Sequence, residues 1–204
     1  LFHPTSGKLQ KHLPSLPSGK FYHGLLVDKQ QNLWVGSNTD GVLKMEPQSG
    51  TWKHYPARPE SDRSVGSVYA VPRFVDAAGR VWFTTQNGID VFDPSTHRFF
   101  HIRHSEFNPS SISSNNVSAL MEDTHGDIWV GTWGGGIDKI VRSRMKFSVI
   151  TAPTVLRNGF VLSLLQDSQG ELWVGEGSGA VRLSLTDSKQ IKNVNHLPGL
   201  QSTN

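Results

Sequence analysis

The chain has 204 residues, a formal net charge of +3, nine histidines and no cysteine. The lack of thiols excludes disulfides and thiolate metal sites within it, and leaves the compartment open. The positive charge is scattered rather than gathered into the stripe a nucleic-acid interface needs, so no nucleic-acid partner is expected. No stretch approaches the roughly 20 apolar residues of a membrane span, and the N-terminus shows no charged-then-apolar leader pattern. The sequence starts at Leu1, not at methionine, and is read as cut from something longer.

In chain order, residues 1–13 align with the middle of a later unit: Leu1-Phe2-His3-Pro4 is in step with Val91-Phe92-Asp93-Pro94, so the chain is expected to open on the outer half of a blade. A first full unit spans 21–55, with apolar runs at Tyr22 to Val27, Leu33 to Gly36, Val42 to Met45 and Trp52 to Tyr55. A second spans 68–102, a third 117–150 and a fourth 160–194, each with four such runs; the last run of the fourth unit, Gln190 to Val194, is the least distinct. Residues 195–204 read as a connector leading toward a further unit. Gly, Asn, Asp and Pro clusters separate the runs, as in a four-stranded antiparallel meander. No ten-residue segment holds a 3.6 apolar period, and Pro72, Pro94, Pro109 and Pro153 interrupt the places where a helix could form. The fold expected is all-β.

One phrase recurs in every unit. Asp28 precedes Trp34, Asp76 precedes Trp82, Asp123 precedes Trp129 and Asp167 precedes Trp173, always by six residues, and successive tryptophans are 48, 47 and 44 residues apart. Self-similarity at this period, in four-stranded units with an aromatic signature, predicts a β-propeller fragment: about four blades plus an N-terminal half blade. The phrase is explicable without a ligand. An aspartate opening a tight turn accepts backbone amides two or three residues on, and Gly79, Gly126 and Gly170 supply a positive φ. The first unit has Gln31 there, so its turn is expected to be looser or to place the left-handed residue at Asn32. Strand alternation points each tryptophan one way and its apolar flanks the other, which suits a sheet packed between two neighbours.

Val117 to Ile140, VSALMEDTHGDIWVGTWGGGIDKI, is the fullest copy of the pattern and resembles the two-component regulator propeller repeat. The likeness extends over the four units. Departures are Gln31 for Gly, Thr84 for the Gly after Trp82, and a single Gly88 or Gly179 where the third unit has three glycines. The resemblance implies the periplasmic or extracellular sensor part of an inner-membrane signalling protein, with a histidine kinase or diguanylate cyclase output domain elsewhere in the parent chain. The sialidase-type Asp-box places its Asp five residues before Trp, not six, and so does not fit.

Catalytic and metal signatures are missing from the sequence. His12, His54 and His101 fall at one place in three separate fourth strands, too far apart to share a metal, and His23, His97, His104 and His125 are singletons. Glu122, Asp123, Asp127, Asp167 and Glu171 read as turn chemistry. There is no Gly-x-Ser-x-Gly, phosphate loop or His-Glu-x-x-His. No cofactor is implied. In propellers the loops between second and third strands share a face with the connectors before each first strand. The ligand-binding candidates are therefore Asn38, Asp40, Gln86, Asn87, Trp133 and Glu176 from the loops, with Asn115, Asn116, Arg157 and Asn158 from the connectors. Trp133 breaks the repeat inside a glycine-rich loop: it is read either as packing over the next blade or as a stacking platform for an oligosaccharide or peptide. The function expected is a non-catalytic sensor; a scaffold or homodimerisation module is the alternative, and a propeller lyase or glycosidase is a third reading.

Overall fold

The computed structural model describes residues 2–3, 8–9, 21–141, 146–150, 155–156, 159–185 and 191–198. A two-stranded hairpin comes first, β1 (Phe2–His3) with β2 (Lys8–Leu9). Blade I follows as β3 (Tyr22–Val27), β4 (Leu33–Ser37), β5 (Val42–Glu46) and β6 (Thr51–Tyr55). Blade II is β7 (Ala70–Val75), β8 (Val81–Thr85), β9 (Gly88–Asp93) and β10 (Arg98–Ile102). Blade III is β11 (Val117–Glu122), β12 (Ile128–Thr132), β13 (Gly136–Val141) and β14 (Lys146–Ile150). Blade IV is β15 (Val161–Gln166), β16 (Leu172–Glu176), β17 (Gly179–Leu185) and β18 (Ile191–Pro198). Every blade is an antiparallel meander, and no described residue is helical. The protein is a β-propeller fragment. β18 runs on through Pro198, into the segment read from sequence as a connector; residues 199–204 lie outside the described residues.

The recurring phrase is a five-residue hairpin turn. In blade III, Gly126 N donates to Asp123 O at 2.9 Å and Asp123 N donates to Asp127 O at 2.9 Å, and Gly126 sits at φ 84°. The Asp123 carboxylate closes the loop: Oδ1 accepts His125 N and Asp127 N, both at 2.9 Å, and Oδ2 accepts the indole Nε1 of Trp129 at 3.1 Å. The same indole bond is 2.8 Å from Trp34 to Asp28, 3.0 Å from Trp82 to Asp76 and 2.9 Å from Trp173 to Asp167. The amides bound are thus two and four residues on, because the third donates to the aspartate's own carbonyl. In blade I Gln31 itself adopts φ 65°, so the turn is neither looser nor shifted to Asn32. The geometry is set by the carboxylate, and a non-glycine residue is forced into the left-handed region to satisfy it.

Trp34, Trp82 and Trp129 pack against the blade that follows. Trp34 lies 5.5 Å from Phe83 and 4.9 Å from Phe92 between ring centroids, within a cluster that joins blades I and II. Trp82 shares a core with Ile128, Val130 and Ile140 of blade III, and Trp129 with Leu172, Val174 and Leu183 of blade IV. Trp34, Trp82 and Trp129 are buried, whereas Trp173 is only partly so. A cation covers each ring: Lys44 over Trp34, Arg80 over Trp82, Lys139 over Trp129 and Arg182 over Trp173, at 4.7 to 5.9 Å. First strands adjoin first strands around the array, β3 with β7, β7 with β11, β11 with β15, and so form its inner wall.

Two substitutions measure this frame. Trp129→Ala removes a fully buried indole and is expected to cost about 3–5 kcal/mol in urea unfolding, with Trp173→Ala costing less because its ring is partly solvated. Gln31→Gly relieves the left-handed strain at the cost of some chain entropy, and should raise stability by up to about 1 kcal/mol; an unchanged or lowered midpoint would show that the turn at Gln31 is unstrained.

Candidate functional site

The candidate residues sit where second-to-third-strand turns meet the connectors of the following blade. Gly41 N donates to Val68 O at 2.8 Å, Gly88 N to Asn115 O at 2.7 Å, and Gly134 N to Gly159 O at 3.0 Å. Within these turns a hydroxyl at the end of the second strand organises the backbone. Ser37 Oγ accepts Thr39 N and Asp40 N, each at 3.1 Å, and Thr85 Oγ1 accepts Asn87 N at 3.0 Å. Trp133 N donates to Asn116 O at 2.9 Å, and Trp133 forms an isolated antiparallel bridge with Phe160. Its ring meets Phe160 edge to face, centroids 6.0 Å apart at 88°. Both remain open to solvent, Trp133 at 49% and Phe160 at 45%. The result is an aromatic pair at the channel mouth, with one ring from a turn of blade III and the other from the start of blade IV.

The remaining candidates divide by what already holds them. Asp40 is tied to His54, whose Nε2 lies 2.7 Å from Asp40 O and 3.2 Å from Oδ2. Asn115 is used structurally through both ends, its Oδ1 accepting His104 N at 2.7 Å. Glu176 is buried. Gln86 and Asn116 are exposed, and Asn38 and Asn87 are partly so. Asn38 Oδ1 is a buried acceptor without a hydrogen-bond partner among the described residues. Arg157 and Asn158 lie outside the described residues. Phe160, which completes the aromatic pair, was not singled out from the sequence; an exposed phenylalanine immediately before the Val161 strand is its only signal.

A second feature missed from sequence is the third-strand aspartate in Gly88-Ile89-Asp90 and Gly136-Ile137-Asp138. Both side chains are fully buried and both pin the connector that enters their own blade. Asp90 Oδ2 accepts Gly66 N at 2.6 Å, and Oδ1 is 2.7 Å from His101 Nδ1 and 2.5 Å from Arg103 Nη2. The Asp90 hydrogen bond is the first cause of a His101 pKa raised above the ordinary histidine value, partly opposed by burial. Asp138 Oδ2 accepts both Ser113 N and Ser113 Oγ at 2.9 Å, but Oδ1 has no partner among the described residues. Burial pushes its carboxyl up to about 6, against the Ser113 hydrogen bonds and the charge of His104. Near the indoles the balance is opposite: burial raises Asp76, yet hydrogen bonds from Trp82, the Arg80 amide and the Arg80 side chain bring it below the usual carboxylate range. Among the described residues no three His, Asp or Glu side chains are placed to hold a metal.

The two-component regulator propeller model matches residues 15–39, 111–134 and 155–176, the Asp-turn regions of blades I, III and IV. Over these three stretches the chain resembles that repeat family. A comparison with curated proteins finds no match. Among solved structures, the propeller is similar to a protein of B. thetaiotaomicron described as the extracellular domain of a hybrid two component system. The TM-score is 0.77 at 21% identity, over 88% of this chain and 25% of that one. It is also similar to virginiamycin B lyase from Staphylococcus aureus, TM-score 0.63 at 17% identity over 89% of this chain and 56% of the lyase. A bacterial surface component of the type-IX secretion system of Porphyromonas gingivalis gives 0.62 at 16% identity over 87% of this chain and 27% of that protein. At these identities the shared property is the propeller fold, and this chain spans between a quarter and little more than half of each relative.

Asp138 sets a pH dependence with a definite sign. Its folded pKa lies above the ordinary 3.8, so its stabilising contribution is full below that value and is lost as pH rises toward about 6. Relative to Asp138→Asn, the native protein should lose on the order of 3 kcal/mol of unfolding free energy between about pH 4 and pH 7. Urea melts of both proteins at the two pH values check this; a constant difference would contradict it.

Proposed function

We propose that this chain is a non-catalytic segment of an extracytoplasmic sensor propeller, belonging to a bacterial transmembrane signalling protein whose kinase or cyclase output lies elsewhere in the parent chain. The observation that carries the ligand-binding part of the reading is the solvent-open Trp133 and Phe160 pair at the channel mouth. Edge-to-face rings held by backbone bonds from two different blades form a rigid apolar corner. Gln86, Asn87 and Asn116 lie in the same turn-and-connector set and supply amide groups for orientation. Such a corner suits the flat face of a sugar ring or an apolar peptide side chain, and ligand contact there bears on the III–IV junction directly. The family repeat supports the signalling context, and the likeness to an extracellular two-component domain supports the location. The lyase reading has only the shared propeller fold behind it.

A scaffold or homodimer role draws on a different observation, the exposure of Leu25 at 69% and Val27 at 52% on β3. Sedimentation separates the two: a concentration-independent monomer removes the dimer reading. For the sensor reading, calorimetric titration of oligosaccharide and peptide panels should find a ligand whose affinity falls at least about tenfold in Trp133→Ala, the loss of one well-packed aromatic contact. Equal affinity in the variant for every binder found would overturn the aromatic corner as the site.

A further inference from the structure

Three departures from the repeat meet at one point on the inner wall. Blades I, III and IV carry Gly36, Gly131 and Gly175 two residues after the tryptophan, where an added Cβ would fall 2.2 to 2.3 Å from Ala70 O, Val161 Cγ1 and Ser163 Oγ respectively. Blade II carries Thr84 there, fully buried. Each first strand has one β-bulge, but its place differs. In β11 and β15 it lies opposite the Thr132-Gly131 and Glu176-Gly175 steps, whereas in β7 it lies at Arg73, opposite Phe83 and Trp82. The residues at the other three bulges are Gly24, Ser118 and Leu162, all uncharged. Bulges re-aim a side chain, and here the side chain re-aimed is an arginine.

The threonine and the arginine explain each other. Arg73 Nε donates to Thr84 Oγ1 at 2.9 Å, and Arg73 Nη2 donates to Ser118 O of blade III at 2.9 Å. These two bonds occupy one edge of the planar guanidinium and fix its orientation. The other edge, between Nη1 and Nη2, faces no carboxylate: Arg73 forms no ion pair among the described residues, whereas Arg80, Arg98, Arg103 and Arg182 each do. Arg73 is exposed, so solvent reaches the guanidinium, while partial desolvation against the wall lowers its pKa from the ordinary arginine value. The His23 ring lies 5.9 Å from the Tyr69 ring. Joining blades does not require a charge. Gln166 ties blade IV to blade III by accepting Thr124 N at 2.9 Å, and Ser118 Oγ bonds Val161 O.

We infer that Arg73, oriented by Thr84 and by the Ser118 carbonyl, is the anchor of a carboxylate-binding site on the channel wall. A carboxylate accepts two parallel N–H bonds from the open edge of the guanidinium, the geometry in which arginine outperforms lysine. The site is independent of the aromatic corner formed by Trp133 and Phe160, and it assigns a negative charge to the ligand it takes.

Acetate is the minimal probe, titrated into the ¹⁵N-labelled protein at constant ionic strength, with chloride and sulfate as comparison anions. The Arg73 side-chain resonance should shift saturably with acetate, and the Tyr69 amide should follow the same curve. Arg73→Lys, which keeps the charge and loses the fork, should weaken acetate binding at least about tenfold, and Thr84→Val, which keeps the shape and removes the acceptor, severalfold. Trp133→Ala should leave the acetate curve unchanged, so that failure of the mouth site and failure of this one are separable. A linear drift equal to that in chloride would overturn the inference. So would acetate binding as tightly to Arg73→Lys as to the native protein, or saturation by sulfate without saturation by acetate.

Discussion

The bond from each indole to the aspartate six residues before it is the constraint on which the structure rests. A buried Trp N–H needs a partner, and an ionised carboxylate inside a sheet needs several. The hairpin turn answers both by placing one carboxylate oxygen on the indole and the other on backbone amides of the turn. The ring is then fixed at the blade face, where its burial against the next blade contributes several kcal/mol through the apolar area removed from water. The aspartate is thus both the turn's organiser and the rotamer lock of the packing residue. That dual role explains why Gln31 tolerates a left-handed backbone rather than letting the turn change type.

A frame repeated four times makes deviations informative. The junction of blades I and II is filled by Trp34, Tyr55, Phe83, Phe92 and Phe99, while the next junction uses Val130, Ile128 and Ile140 against Trp82. The same backbone register therefore accepts aromatic or aliphatic fillings. Position 84 differs from its counterpart in blade I, where the Ala70 and His23 carbonyls leave no room for a Cβ at Gly36. Blade II carries a buried threonine at this point, and its first strand has its bulge at Arg73. Structure and charge are coupled: the residue that breaks the glycine rule is the one that holds the guanidinium.

The polar groups at the channel mouth show how far loop function can be read from residue type. Asn115 and Asp40 look like free amide and acid groups in the sequence, yet both are engaged, one by the His104 amide and the other by His54. Trp133 stood out because it interrupts a glycine run, but its partner Phe160 lies 27 residues further on and belongs to the next blade. Asp90 and Asp138 share a Gly-Ile-Asp motif and a buried third-strand position, but they differ in charge environment. Asp90 faces His101 and Arg103, whereas Asp138 faces Ser113. The motif predicts the position and not the partners.

The all-β class, the four Asp-to-Trp turns and the strands of the first blade are legible in the residues alone. These are properties of short stretches, where alternation, turn chemistry and a 44 to 48 residue period are all local. Tertiary packing alone shows that the aspartates bind the indoles, that Trp34, Trp82 and Trp129 face the following blade, and that Trp133 meets Phe160. It alone paired Arg73 with Thr84 and left Asp138 Oδ1 without a partner among the described residues. Those outcomes depend on which residues of separate strands or blades come within about 3 Å of one another, the reach of a hydrogen bond, and packing between repeats, not the repeat itself, sets that distance.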